Sequence, residues 1–271
     1  MIILFYGICG VILVLQIYPI FWVLMSSFKT PNEIIMNAPY SFPTSLYTGN
    51  YIRALTQSRL PNYFLNSTIT ALGTLLGIIA LGAPAGYAIS KIPFKHNESL
   101  LSFFLLGIMI PSFACLIPMF QIYNVLRLRN TYLSLILPQV GFGLPICIYL
   151  YAGFMRFIPN SLCEAAIIDG ATNFQIFTRI VFPMAKNSTL TIVIFNFVGI
   201  WNEFTYANTF MTKNIMKTLP NGLNDFIGEM GRREWGPTFA AIIIAIAPTL
   251  IVYFFLNKYV MEGVSAGAIK E

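Results

Sequence analysis

The sequence predicts an all-α polytopic membrane protein with six transmembrane helices, and three observations carry that expectation. Of 271 residues, 57% are hydrophobic and only 10% charged, against roughly 25% charged in soluble domains. The mean hydropathy is +0.73. Five charge-free blocks, Met1–Phe28, Leu60–Ser90, Ser99–Leu126, Asn130–Met155 and Gly236–Asn257, each exceed the roughly 20 apolar residues that cross a bilayer.

The expected spans are 3–26, 66–90, 100–123, 132–153, 186–209 and 237–257. The first, within 1–28, lacks a basic leading segment and is longer than the apolar core of a signal peptide, so it reads as a retained helix. Residues 29–63 follow as a long polar loop that includes Ser41-Phe42-Pro43-Thr44-Ser45. Pro84, Pro111, Pro118, Pro138, Pro145 and Pro248 fall in or beside spans, where they predict kinks. Two further long connections cover 154–183 and 210–236. Lys and Arg number seven on the segments inside if the N-terminus is cytoplasmic, and nine outside; the positive-inside rule does not orient the chain. The net charge of +6 is scattered, with Arg232-Arg233 the only adjacent pair, and suits juxtamembrane contacts better than nucleic acid. Cys9, Cys115, Cys147 and Cys163 are widely spaced apolar fillers with no metal or disulfide pattern.

The connection 154–183 carries the sharpest local signals. Ser161 and Glu164 have capping-box spacing, which predicts a helix from Leu162. Gly170 can adopt the left-handed conformation that ends it. Thr172 and Gln175 form a second capping box, and Phe174, Phe177, Ile180 and Val181 share a helical face up to Pro183. The first helix is too short to be stable alone, and Leu162, Ala165, Ala166, Ile167 and Ile168 give it apolar surface. Two readings stay open on physics alone: a helix docked on a partner protein, or one lying on lipid headgroups.

Catalytic motifs are missing from the sequence. There is no GxxxxGK[ST], GxSxG or HExxH, so the sequence shows neither a phosphate-cradling P-loop nor these hydrolase motifs. The one histidine, His96, sits in a short polar loop. Glu203 lies roughly 26 Å along the fifth span counted from residue 186, where a carboxylate is costly unless paired or hydrated. With Asn202, Tyr206 and Asn208 it predicts either the lining of a solvated path through the membrane or a helix-end cluster. Gln121, Asn124 and Gln139 could line the same cavity or bridge helices.

Glu164-Ala165-Ala166-x-x-Asp169-Gly170-Ala171, with Ile180 and Pro183 downstream, resembles the EAA loop of ABC-importer permeases. Ser26-Ser27-Phe28-Lys29, Asn66-Ser67, Gly86-Tyr87-Ala88, Trp201-Asn202-Glu203-Phe204 and the ending Lys258–Lys270 are similar to its carbohydrate-import branch, in the manner of the maltose permease G component. The resemblance covers nearly the whole chain. It implies a type I ABC-importer permease fold and a non-catalytic subunit of a bacterial inner-membrane sugar importer. It also implies an extracytoplasmic loop at 29–63, a permease domain over 64–258 with a cytoplasmic EAA loop at 156–183, and a cytoplasmic tail at 259–271. Glu164, Ala165, Ala166, Ile168, Asp169, Gly170 and Ala171 would face an ATPase, with Ser161, Thr172, Gln175 and Pro183 shaping the loop. The implied partners are a second homologous permease, an ATP-binding subunit dimer that carries the ATP and Mg, and a solute-binding protein, with no cofactor in this chain. The alternative is an ion-coupled secondary transporter or channel, which would need buried ionisable sites and helix breaks in two repeat halves.

Overall fold

The structure is a computed structural model that describes residues 2–226 and 234–268, with side chains described for 4–224 and 234–255. Glu229 and the Arg232-Arg233 pair, part of the 210–236 connection, and the side chains of the 259–271 tail lie outside the described residues. The chain divides into two compact units, one of residues 1–65 and 217–248, the other of 66–216 and 249–271.

Helices follow in the order α1 (Ile2–Ser27), α2 (Pro31–Met36), α3 (Gly49–Thr56), α4 (Leu60–Lys91), α5 (Asn97–Leu106), α6 (Leu116–Val125) and α7 (Leu133–Arg156). They continue with α8 (Asn160–Ile168), α9 (Asn173–Ile176), α10 (Phe182–Met184), α11 (Lys186–Trp201), α12 (Thr205–Phe210), α13 (Leu219–Gly222) and α14 (Trp235–Ala268). Among the described residues, four helices are individually long and apolar enough to cross a membrane: Leu4–Ser27, Leu60–Lys91, Leu133–Arg156 and Trp235–Phe255. Six spans result if each of two bent pairs is one span.

The third span bends at Pro111, where a kink is expected, and a second bend comes just before the fifth span. Asn97–Met109 and Ser112–Val125 meet at 77°. Ile110 there is extended at ψ 113°, as a residue preceding proline prefers. Pro84, Pro138, Pro145 and Pro248, by contrast, sit inside continuous helices. The fifth expected span stops at Trp201 rather than 209, and α11 meets the Asn173–Met184 segment at 73°. The second span starts at Leu60, six residues before the expected 66, and the polar 29–63 stretch carries the short helices α2 and α3.

In the first unit, α1 is exposed from Leu4 to Phe21. The polar stretch after it is ordered by buried hydrogen bonds. Asn50 Nδ2 donates to Ser27 O at 2.9 Å and Lys29 O at 2.8 Å. Glu33 caps α2 in a complete capping box with Thr30, and its other oxygen accepts from Thr44 N at 2.7 Å and Thr44 Oγ1 at 2.5 Å. Arg53 pairs with Glu234.

In the second unit, α4 packs on α7 along a row of glycines. A Cβ at Gly86 would stand 2.5 Å from Tyr151 Cβ and 3.0 Å from Ala152 N, so no larger residue fits that approach. A core of Ile78, Tyr87, Cys147, Tyr151, Met155, Ile176, Val181 and Ile192 gathers α4, α7, α11 and the 159–185 connection. A smaller cluster joins Tyr123, Leu135, Tyr206 and Phe210.

Candidate functional site

The connection between α7 and α11 builds the most defined surface feature. Its helix α8 begins at Asn160, with Pro159 as N-cap and no side-chain cap bond. The expected Ser161–Glu164 capping box is therefore not formed; proline at the cap fixes the entry two residues earlier, which moves Ser161 into the first turn. Lys91, the last residue of α4, holds that entry by donating to Ile158 O and to Asn160 Oδ1, the latter at 2.7 Å. Sequence reasoning counted Lys91 only as an inner cation. Its position as the final residue of a long apolar helix was the available signal.

The far end of α8 closes as expected. Gly170 has φ +81°; Gly170 N bonds Ile167 O at 3.0 Å and Ala171 N bonds Ala166 O at 2.9 Å, the paired bonds of a Schellman motif. Ala171 tucks against the core beside buried Ala166. The second capping box is present, with Thr172 N to Gln175 Oε1 at 2.8 Å and Gln175 N to Thr172 Oγ1 at 3.3 Å. From there the chain departs from the expected regular helix, because Phe177–Val181 is a π-helix. The wider turn breaks the expected face. Ile176 and Val181 are buried, Phe177 and Ile180 partly so, and Phe174 is 73% exposed. Pro183 sits inside α10, so the segment ends at Met184 and not at the proline.

The result is a short helix held at both ends and open along its crest. Only Ala166 is buried, with Cys163 packed partly behind it. Leu162 is 41%, Ile167 57% and Ile168 86% exposed. Glu164, Ala165, Asp169 and Gly170 are exposed as well. At about 100° per residue, Ile168 points away from buried Ala166 and Cys163, with Glu164 and Asp169 on either side of it, while Leu162 and Ile167 lie on opposite flanks.

The second set of sequence-selected residues is not a comparable open surface. Glu203 lies in the turn between α11 and α12, outside any helix, where Oε1 accepts from Tyr206 N at 2.6 Å and Oε2 from Ala207 N at 3.2 Å. It satisfies amides that the start of α12 leaves free. Tyr206 is buried and stacked on Phe210, with centroids 6.1 Å apart. Asn202 and Asn208 are exposed, Asn202 Nδ2 bonding Val198 O at 2.8 Å. Among the other polar positions, Gln121 and Asn124 are exposed. Gln139 is buried and bonds Leu135 O of its own helix at 3.0 Å, so it does not bridge helices through that group. Asn66 does link distant segments: its Nδ2 donates to Ile215 O and its Oδ1 accepts from Tyr132 OH, both at 2.8 Å.

Comparison with known proteins decides what this architecture is. Residues 73–265 match the family described as binding-protein-dependent transport system inner membrane component. The chain belongs to that family. As an inner membrane transport component it is a multi-pass protein of the bacterial plasma membrane. It is 33% identical over 258 residues to the diacetylchitobiose uptake system permease protein of Streptomyces coelicolor, covering 95% of this chain and 85% of that one. It is 31% identical over 260 residues to the trehalose/maltose transport system permease protein of Thermococcus litoralis, covering 95% and 92%. A bacterial ABC transporter involved in the import of the acidic polysaccharide alginate has the same type I fold in a solved structure, with TM-score 0.82, 20% identity and 95% of both chains covered.

Proposed function

We propose that the chain is the permease subunit of an ATP-driven, binding-protein-dependent importer of a sugar or oligosaccharide. In this reading it forms half of the translocation pathway with a second homologous permease and does no chemistry itself. The supporting observation is the exposed surface of α8: Ile168 stays exposed opposite the buried side, and Leu162 and Ile167 on the flanks, on a helix both of whose ends are fixed. An exposed apolar residue on a rigidly seated helix fits protein docking, and Glu164, Ala165 and Asp169 of the EAA-like motif lie beside it, with Ala166 turned into the core. The partner is the ATP-binding subunit dimer, which carries ATP and Mg. Glu164, Ala165, Ile168 and Asp169 meet its surface, while Gly170 and Ala171 shape the turn.

In this scheme ATP binds the closed ATPase dimer more tightly than the open one, and that difference alone biases the spans between inward and outward access. The rigid anchoring of α8 through Lys91, Tyr87 and Phe177 carries its displacement into α4, α7 and α11. Residues 29–63 lie outside, where a solute-binding protein delivers its ligand, and 156–183 and 259–271 lie in the cytoplasm. The sugar class follows the diacetylchitobiose and trehalose/maltose relatives. Exposed Asn202 and Asn208 are the path candidates still free to meet substrate.

Removing Glu164–Gly170, or placing a charge on the crest with Ile168→Lys, should abolish co-purification of the ATPase while the chain still inserts. Lysine at that position would strand a charge in the contact, expected to weaken association by at least about tenfold. Undiminished association and transport would overturn the docking assignment. Transport that persists without ATP or the ATPase would overturn the importer reading in favour of an ion-coupled carrier.

A further inference from the structure

The first unit contains a feature that the docking of α8 does not use. Lys29 follows the C-terminal end of α1 and is only 3% exposed. Among the described residues no carboxylate lies within ion-pair distance of it, and its ammonium donates to a single acceptor, Pro39 O at 3.0 Å. An ammonium carries three donors, and burying it incompletely paired is costly. Beside it is a cavity of about 220 Å³ lined by Trp22, Ser26, Lys29, Pro39, Trp235 and Phe239, with Ile34 completing the wall.

The walls are firmly built. Trp22 Nε1 donates to the same Pro39 O at 2.7 Å, Trp22 meets Phe239 edge-on at 5.3 Å, and Trp235 stacks on Phe239 at 5.8 Å. The cavity therefore combines a buried cation with free donors and an aromatic rim. It adjoins α1, whose apolar side chains are exposed along the helix from Leu4 to Phe21. Tryptophan concentrates where bilayer meets water, and basic groups there attract anionic headgroups.

We propose that this cavity binds the phosphodiester of a net-anionic phospholipid. The ammonium of Lys29 pairs with the phosphate oxygens, Trp22 and Trp235 flank the headgroup, and the acyl chains run along exposed α1. The shared chemistry is a phosphate oxyanion, for which inorganic phosphate is the other source. A zwitterionic lipid is disfavoured because its own cation already neutralises the phosphate.

The test uses the full chain in its assembly, reconstituted with equal amounts of phosphatidylglycerol and phosphatidylcholine and read by native mass spectrometry of retained lipid. Wild type should retain phosphatidylglycerol over phosphatidylcholine by about fivefold or more, as expected for one desolvated lysine–headgroup contact. Lys29→Arg should keep that preference and Lys29→Met should lose it. Tryptophan emission should be quenched by phosphatidylglycerol with brominated chains, and less so in Trp22→Phe. No preference in wild type overturns the proposal whether or not the methionine variant folds. A preference unchanged in Lys29→Met overturns it as well. Displacement of phosphatidylglycerol by millimolar inorganic phosphate, with phosphate alone shifting the emission, would assign the site to the free anion and overturn the lipid.

Discussion

Two pairs of carboxylates behave in opposite ways. Glu203 and Glu33 bind the chain's own amides: Glu203 holds Tyr206 N and Ala207 N, and Glu33 holds Thr30 N and Thr44 N. Glu164 and Asp169, on α8, are exposed, and their side chains make no hydrogen bond or ion pair among the described residues. The difference teaches what an isolated acid in an apolar stretch is for. Where free backbone N–H groups begin a helix within reach, the acid is spent on local structure. Glu164 lies past the first turn of α8 and Asp169 is its C-cap, so neither stands where free N–H groups begin that helix, and both acids stay available to a partner.

The largest effect that separates the two pairs is on stability. Glu203→Ala removes the acceptor for two amides at the start of α12 and should lower stability by about 1–3 kcal/mol. Glu164→Ala should leave stability within about 0.5 kcal/mol and reduce ATPase affinity instead. Thermal unfolding and ATPase association, measured on both variants, give a crossed pattern if the comparison holds. An increase in apparent substrate KM for Glu203→Ala at unchanged thermal stability would break it, returning Glu203 to the translocation path.

A smaller effect tests the turn that leaves the α8 crest free. Gly170 has φ +81° and open space around its Cβ position, so Gly170→Ala meets no neighbour and suffers only the left-handed backbone penalty of about 1–2 kcal/mol. ATPase association should fall with little loss of global stability, because the distortion is confined to the end of α8. Association equal to wild type would show that the turn does not orient the crest.

Part of this was legible in the sequence. Composition and charge-free blocks identify the spans because a bilayer-crossing helix needs only length and hydropathy. Gly170 and the Thr172–Gln175 box were readable because both act through backbone groups within four residues. The Ser161–Glu164 box was not, because Pro159 competes for the same helix start and a spacing rule cannot rank them. The π turn at Phe177–Val181 was hidden for another reason: it is selected by packing of Phe177 on Tyr87 and Phe182, with centroids at 5.3 and 5.5 Å, and no local residue pattern encodes it. Glu203 was misplaced because the fifth span was counted on to 209 through the polar Asn202-Glu203, while the helix ends at Trp201. Lys29 was legible only as an outer cation and as part of a resemblance, since the cavity it lines is completed by Trp235 and Phe239, more than 200 residues away.

The smallest effect concerns pH and compares the two structural acids with each other. Each Glu33 oxygen accepts two bonds, from Thr30 N and Oγ1 on one side and from Thr44 N and Oγ1 on the other. The Thr44 hydroxyl first, then the Thr30 and Thr44 amides, hold this carboxyl at about 2, below its ordinary 4.5. Bonds to the ionised form lower a carboxyl pKa, so the unfolded loop binds the proton more readily than the folded one. The stabilisation is therefore complete above pH 4.5 and is lost as pH falls toward 2. Protection of residues 30–44 from hydrogen exchange should decline across that window in wild type. Glu33→Gln replaces one acceptor oxygen by a donor facing a threonine pair. It should lower protection already at pH 7 and remove the additional decline below 4.5, other titrating acids cancelling in the difference. Identical pH profiles for wild type and Glu33→Gln would show that the loop is held by Asn50 and its backbone bonds, with the carboxylate contributing nothing.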